Sequence, residues 1–339
     1  MQPKSAQVPK LNEETKTGFN LKKGINRYFG NMGLLVVILV FGLILSILSP
    51  VFLTTTNLVN LLIQSTILAC LALGVTFVII TGGIDLSVGS VMAISVAVGL
   101  GSIVNNGMPI VVGVIITLLI GVAFGLLNGI VISKLRVPPL IVTLATMGIA
   151  RGAVLIYTNG SNIHPVPASF VTLATGRVLG IPYLVIMIGL LCIIAYVILS
   201  HTVYGRSVYA SGGNELAARL AGVKTKTVVT FTYVISGLLA AVAGILLTAR
   251  LESAGPTIGE GIELTVIAAV VIGGTSLFGG QGSILGTILG VLLITLVSNA
   301  VNLLGVPPAW DELVKGVVIL IAALLDVYRR KYSDGKVEV

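Results

Sequence analysis

Between residues 31 and 200 the chain carries one carboxylate, Asp85, inside the stretch TGGIDLSVGS. An aspartate just ahead of an apolar run can accept hydrogen bonds from the free N–H groups of a helix start. Its charge also suits the positive end of the helix dipole. Gly82 and Gly83 beside it permit a tight backbone turn. The expectation is a helix cap or gate, with a proton or ion site as the alternative. Arg151 is the deepest formal charge in the apolar sequence, twelve residues past Pro139. An ion in such a segment is a candidate for a functional path, and a structural pair with Glu252 or Glu263 is the competing reading. Asn299 and Asn302 could offer an uncharged polar face to a neutral, hydroxylated solute, or could bond neighbouring helices. The segment ELAARLAG, from Glu215 to Gly222, is a short run of helix formers closed by glycine.

No other constellation of chemical groups stands out. There is no P-loop, no HExxH, no GxSxG and no cluster of His or Cys, while His164 and His201 stand alone. An enzyme therefore has little to stand on. Cys70 and Cys192 both fall in apolar runs and require no disulfide.

The elements that would position these residues are membrane helices. Hydrophobic residues make up 56% of the 339, charged residues only 9%, and mean hydropathy is +1.10, far from the balance of a water-soluble domain. Ten apolar segments are long enough to serve as spans of an all-α membrane protein: 31–50, 58–80, 86–105, 110–133, 139–158, 182–200, 228–249, 263–277, 284–304 and 312–327. The eighth is short, because IGGTSLFGGQG interrupts it. The first reads as an uncleaved anchor, since no small-residue cleavage site follows an apolar core.

Charge sets the orientation. With both termini in the cytoplasm, sixteen of the 20 lysines and arginines fall on the cytoplasmic side, in the tail 1–30, at Lys134 and Arg136, in the loop 201–227, and after 327. This excess predicts an N-in, C-in topology and accounts for the net charge of +8 without a nucleic-acid partner. The domain plan is a cytoplasmic tail 1–30, a transmembrane body 31–327 and a cytoplasmic tail 328–339.

Two internal echoes suggest a repeat. Gly121, Gly125 and Gly129 form one glycine ladder, and Gly282, Gly286 and Gly290 form another 161 residues later, each a motif for close helix packing. Val137-Pro138-Pro139 and Val306-Pro307-Pro308 precede the fifth and tenth spans. The paired segments cross in opposite directions, as two five-span halves of inverted topology would. On a helical wheel the second ladder and the Asn299/Asn302 pair lie on roughly opposite faces.

The loop 201–227 is the one long cytoplasmic connection, and its amphipathic helix reads as a docking element for a soluble partner. Here the sequence resembles the ribose-type permeases of ABC sugar importers, which are related to branched-chain amino-acid permeases. The resemblance runs from about residue 34 to 326 and is carried by GGIDLSVGS, YTNG, GGNELAARLAG, TARLESAGPTIGEGIELTVIAAVVIGGTSLFGG, NLLGV and VKGVVILIAALLD. In that family a loop with EAA and a following glycine is the helix that couples the permease to its ATPase. Glu215, Ala217, Ala218, Arg219 and Gly222 fall in the matching run, with Leu216 replacing the first alanine. The resemblance implies a permease in the bacterial cytoplasmic (inner) membrane, a second permease copy, a cytoplasmic ABC ATPase and an extracytoplasmic sugar-binding protein. It places ATP and magnesium in the ATPase, with no cofactor in this chain, and makes the cargo a neutral sugar, ribose first. A branched-chain amino-acid permease and an ion-coupled secondary transporter remain the alternatives.

Overall fold

The computed structural model describes residues 32–307 together with 309–317, 320, 321 and 324. The tails at 1–30 and 328–339, Pro308 and part of the expected tenth span lie outside the described residues. In chain order the helices are α1 (Met32–Leu48), α2 (Thr55–Ile80), α3 (Val88–Val104), α4 (Ile110–Ser133), α5 (Pro139–Thr158) and α6 (Ala168–Thr175). They continue as α7 (Tyr183–His201), α8 (Val203–Gly213), α9 (Glu215–Leu220), α10 (Thr225–Leu251), α11 (Ile262–Ile272) and α12 (Ile284–Leu303). A two-stranded antiparallel hairpin, β1 (Arg177–Val178) and β2 (Ile181–Pro182), lies between α6 and α7. Residues 309–317 are helical again.

Six helices, α2, α4, α5, α7, α10 and α12, are long and apolar enough to cross a membrane, while α1, α3 and α11 are shorter apolar helices. The architecture is all-α apart from the hairpin. Apolar helices of this kind differ in what they cover. In α2, 89% of the apolar window is buried by protein, against 22% in α4 and α7. So α2 is a central helix, and α4 and α7 turn large apolar side chains such as Leu119 and Ile193 outward. The interior is built where α2, α3, α10, α11 and α12 meet, through Phe77, Met92, Ala243, Leu246, Ala269 and Ile294.

Glycines set how closely these helices approach. A Cβ added at Gly121 would overlap the Gly237 carbonyl oxygen, one at Gly125 the Tyr233 carbonyl oxygen, and one at Gly129 the backbone of Thr230. The first ladder thus presses α4 onto α10. The second does not face an equivalent helix: Gly286 and Gly290 abut the carbonyls of Gly273 and Ala269 at the end of α11, and Gly282 sits against Ile80 and Thr275. Helix α12 reaches α2 through another face, where the hydroxyls of Thr76 and Thr287 lie 2.8 Å apart.

Candidate functional site

The chain reverses twice inside the fold, and each reversal carries residues singled out in the sequence. After Ile80 the backbone turns through Gly82, at a φ of +79°, and runs without regular secondary structure to the start of α3. At Gly83 a Cβ would overlap the Tyr233 hydroxyl, so only glycine lets the segment lie against α10. Asp85 is 2% exposed. Its Oδ1 accepts from the Ser87 backbone N–H at 3.0 Å and from Ser87 Oγ at 2.6 Å, and its Oδ2 accepts from Ser236 Oγ at 2.8 Å. The network extends outward from Ser87. Asn128 Nδ2 donates to Ser87 Oγ at 3.0 Å, and Thr146 Oγ1 donates to Asn128 Oδ1 at 2.6 Å. Tyr233 and Thr143 both donate to the Ile84 carbonyl at 3.3 Å. Residues 84–87 are thereby tied to α4, α5 and α10 at once.

This arrangement corrects the helix cap expected of Asp85. The residue flanking α3 is Ser87, which makes no side-chain cap bond, and Asp85 holds the N–H of Ser87 instead of the free N–H groups of α3. Asp85 flanks the start of α3 but is not level with an end of α10. Its partner Ser236 is the twelfth of the 27 residues of α10, a helix about 40 Å long, so the carboxylate lies level with the middle of α10. The physical reason is the reversal after Ile80, which carries the chain back inward before α3 begins. A carboxylate at that depth is tolerated because its oxygens accept three short hydrogen bonds from neutral donors.

The second reversal follows α10. From Glu252, at a φ of 53°, the chain returns inward and pairs Ala254 with Ile163 through reciprocal backbone bonds of 2.6 and 3.2 Å. Arg151 stands beside it, donating through Nη1 to the carbonyls of Pro256 and Ile258. The pair with Glu252 or Glu263 does not form. The guanidinium instead satisfies backbone acceptors of a segment with no helix or sheet to do so, a requirement for irregular backbone inside an apolar body. The segment ends against α3: a Cβ at Gly89 would overlap the Gly259 carbonyl oxygen and come within 2.8 Å of Glu263 Oε2. The first turns of α3 and α11, helices of 17 and 11 residues, therefore abut in the interior.

Asn299 and Asn302 do not share an open face. Asn299 is buried, donating through Nδ2 to Asn57 Oδ1 at 2.8 Å and accepting from Asn57 Nδ2 at 3.2 Å, whereas Asn302 is exposed on α12. A wheel drawn for one helix put both on a polar face, but α2 covers only the Asn299 part of it. The reciprocal amide pair clamps α2 to α12. Among the described residues the one ion pair is Lys315 with Asp311, at 2.5 Å, and Asp311 also accepts from Ser298 at 2.9 Å.

The loop 201–227 holds two helices, α8 and α9, where one was expected; Ser211, Gly212 and Gly213 finish α8. At α9, Asn214 Oδ1 accepts from the Ala217 N–H at 2.9 Å. Gly222, at a φ of +86°, closes it: its N–H reaches the Arg219 carbonyl and the Val223 N–H reaches the Ala218 carbonyl, both at 3.0 Å, a Schellman closure. Ala218 packs inward, and Glu215 accepts from Thr225 Oγ1 at 3.2 Å, fixing α9 to the start of α10. Leu216 and Leu220 point away, 58% and 80% exposed, with Ala217 and Arg219 also on the surface. The sequence identified this element from caps and composition. It did not identify Asn57, Asn128, Thr146 or Ser236, whose only signal is polarity within apolar runs, because which helix meets which is not a local property.

Against this geometry stand the comparisons with known proteins. Residues 57–323 match the family described as branched-chain amino acid transport system / permease component. The chain is 47% identical over 297 residues to the ribose import permease protein RbsC of Bacillus subtilis, covering 87% of this chain and 91% of the relative. It is 46% identical over 299 residues to the Escherichia coli protein of that name, covering 86% and 92%. The L-arabinose ABC transporter permease protein AraH of Azospirillum brasilense is 36% identical over 307 residues, covering 91% and 90%. No solved structure matches the chain. The match covers both reversals, helix α9 and nearly all of the six long apolar helices, and the protein is a multi-pass membrane protein of the branched-chain amino acid transport system / permease component family.

Proposed function

We propose that the chain is the transmembrane permease subunit of an ATP-driven ABC importer for a simple sugar, ribose first, in the bacterial cytoplasmic membrane. The observation that carries this reading is the near full-length identity to ribose import permeases. In this reading the chain crosses the membrane ten times, with both termini in the cytoplasm, and works as a homodimer. It receives sugar from an extracytoplasmic binding protein and is driven by a separate ATPase that supplies ATP and magnesium. Helix α9 is the ATPase-coupling element, through Glu215, Leu216, Ala217, Ala218, Arg219 and Gly222.

The packing supports two inverted halves. Exchanging α2 with α10, α3 with α11 and α4 with α12 maps the α4–α10 contact onto α12–α2 and the α3–α4 contact onto α12–α11. Short helices whose starts meet at mid-depth, reached through unwound segments, are the construction from which alternating-access transporters move one half against the other. The path between them suits an uncharged, hydroxylated cargo. Ser95 on α3, Thr248 on α10 and Thr275 after α11 are buried hydroxyls without a hydrogen-bond partner among the described residues, and in this reading Ser95 and Thr248 meet a hydroxylated cargo only when the two halves move apart. Arg151 borders this path through the segment it holds, and Asn302 lies at the far end of α12.

The test is uptake by vesicles containing the permease, its ATPase and its binding protein. ATP-dependent ribose accumulation is the expected result. Accumulation driven by a proton gradient without ATP would establish the ion-coupled alternative, and uptake of leucine in place of sugar would establish the amino-acid permease.

A further inference from the structure

Beside α9 the fold opens into a cleft of about 470 Å³, bounded by the turn after α2, the α4–α5 connection, α9 and the first turns of α10. Its rim is cationic. Arg136, Arg219 and Lys226 line it from three different elements, and all three are exposed. Glu215 is the one carboxylate in the lining and is already engaged by Thr225 Oγ1 at 3.2 Å. Further groups are likewise committed: Ser133 is bonded to Thr230 Oγ1 at 2.8 Å and Tyr233 to the Ile84 carbonyl at 3.3 Å. The cations have no such partner among the described residues.

Arg136 adds an independent sign. Its φ is 59°, in the left-handed region that side chains other than glycine, asparagine and aspartate adopt at a cost. Residues held in such conformations cluster where a side chain must be presented in a fixed direction. Here the strain sits in the connection between α4 and α5, immediately before Val137 and Pro138, on the cleft wall.

We infer that this cleft is an acceptor for an acidic segment of the ATPase, which inserts one or more carboxylates among Arg136, Arg219 and Lys226 while its surface covers Leu216 and Leu220. This deepens the coupling role proposed for α9 and rests on that reading. Two features select this occupant. The charge in the cleft is net positive, three cations against the single carboxylate of Glu215, and the cleft is continuous with exposed Leu216, so a body seated on α9 closes it. Charge complementarity of this kind governs orientation and association rate and is sensitive to salt. The floor of the cleft is Thr81, Gly82 and Gly83, the turn that leads to Asp85, so a loop seated there touches the segment on which α3 depends.

The experiment uses the assembled permease and ATPase treated with a carbodiimide, which joins an amine to a carboxylate in contact with it. A cross-link from Lys226 to an aspartate or glutamate of the ATPase, located by mass spectrometry, is the expected result. It should vanish in Lys226→Arg, which retains the charge and should retain assembly. Arg136→Glu and Lys226→Glu should weaken ATPase binding tenfold or more at low salt, with wild-type thermal stability. An absent cross-link, together with binding by Arg136→Glu within twofold of wild type, would overturn the inference. If Leu216→Ser with Leu220→Ser abolishes binding in that case, the docking helix stands and only the cleft falls. If neither set of variants matters, the coupling role of α9 falls as well. The reaction is repeated in nanodiscs of phosphatidylcholine and of phosphatidylglycerol; loss of the cross-link only in the anionic lipid would assign the cleft to lipid headgroups and overturn the proposal.

Discussion

Asp85 and Ser236 lie 151 positions apart in the chain and 2.8 Å apart in space, joined by a hydroxyl-to-carboxylate hydrogen bond at the mid-level of α10. This bond, with the two from Ser87, fixes the point at which α3 begins. Removing the carboxylate leaves donors from Ser87 and Ser236 buried without an acceptor. Asp85→Ala should therefore destabilise the fold by about 2–4 kcal/mol, the range for breaking a buried charge-assisted network. Asp85→Asn keeps one acceptor oxygen and should lose about half as much. Thermal unfolding of the purified protein in one detergent measures both; an unchanged midpoint for Asp85→Ala would refute the network's structural role.

Arg151 holds a backbone segment, not a carboxylate, so its test is local order. Arg151→Met retains much of the apolar stem but strips the carbonyls of Pro256 and Ile258 of their donor. Amide exchange across 253–261 should rise at least tenfold, with exchange in α2 unchanged. Arg151→Lys should fall between the two, because an ammonium cannot reproduce the geometry of a guanidinium. Equal exchange in all three proteins would show that the segment is held by the Ile163–Ala254 bridge alone.

The Asn57–Asn299 pair predicts an asymmetry between single and double substitution. Replacing one asparagine by leucine strands the other in an apolar contact and should cost about 1–3 kcal/mol. Replacing both removes the polar groups together and should come close to neutral, because α2 and α12 can then pack through leucines. Sugar flux at equal expression should be unaltered in the double variant. A fall in flux without loss of stability would return Asn299 to the translocation path.

Gly222 tests coupling separately from folding. At its φ of +86° a β-branched side chain is strained, although nothing lies within 4 Å of a Cβ there. Gly222→Val should leave the helical body assembled and inserted while reducing ATPase co-purification and binding-protein-stimulated hydrolysis several-fold. Glu215→Lys, which reverses charge at the start of α9 and breaks its bond to Thr225, should do the same. Wild-type coupling in both would make the loop a simple connector.

The sequence alone determined those features that depend on residues near one another in the chain. Helices α1 to α5, α7 and α10 to α12 follow from runs of apolar residues, and their observed bounds lie within a few positions of those expected, apart from the break at Gly273 that ends α11 early. Helix α9 was legible because its Asn214 cap and its Gly222 closure act within eight residues. Tertiary structure decided the rest. Uniform apolarity states that a helix is enclosed but not by what, so the partners of Asn57, Asn128, Thr146 and Ser236 carry no local signal. Hydropathy also assumes that successive spans run the full depth. The cap expected of Asp85 and the carboxylate partner expected of Arg151 failed on that assumption, because segments 81–87 and 253–261 turn back into the fold, and only the assembled helices supply the donors and acceptors that let unwound backbone and a carboxylate stay there.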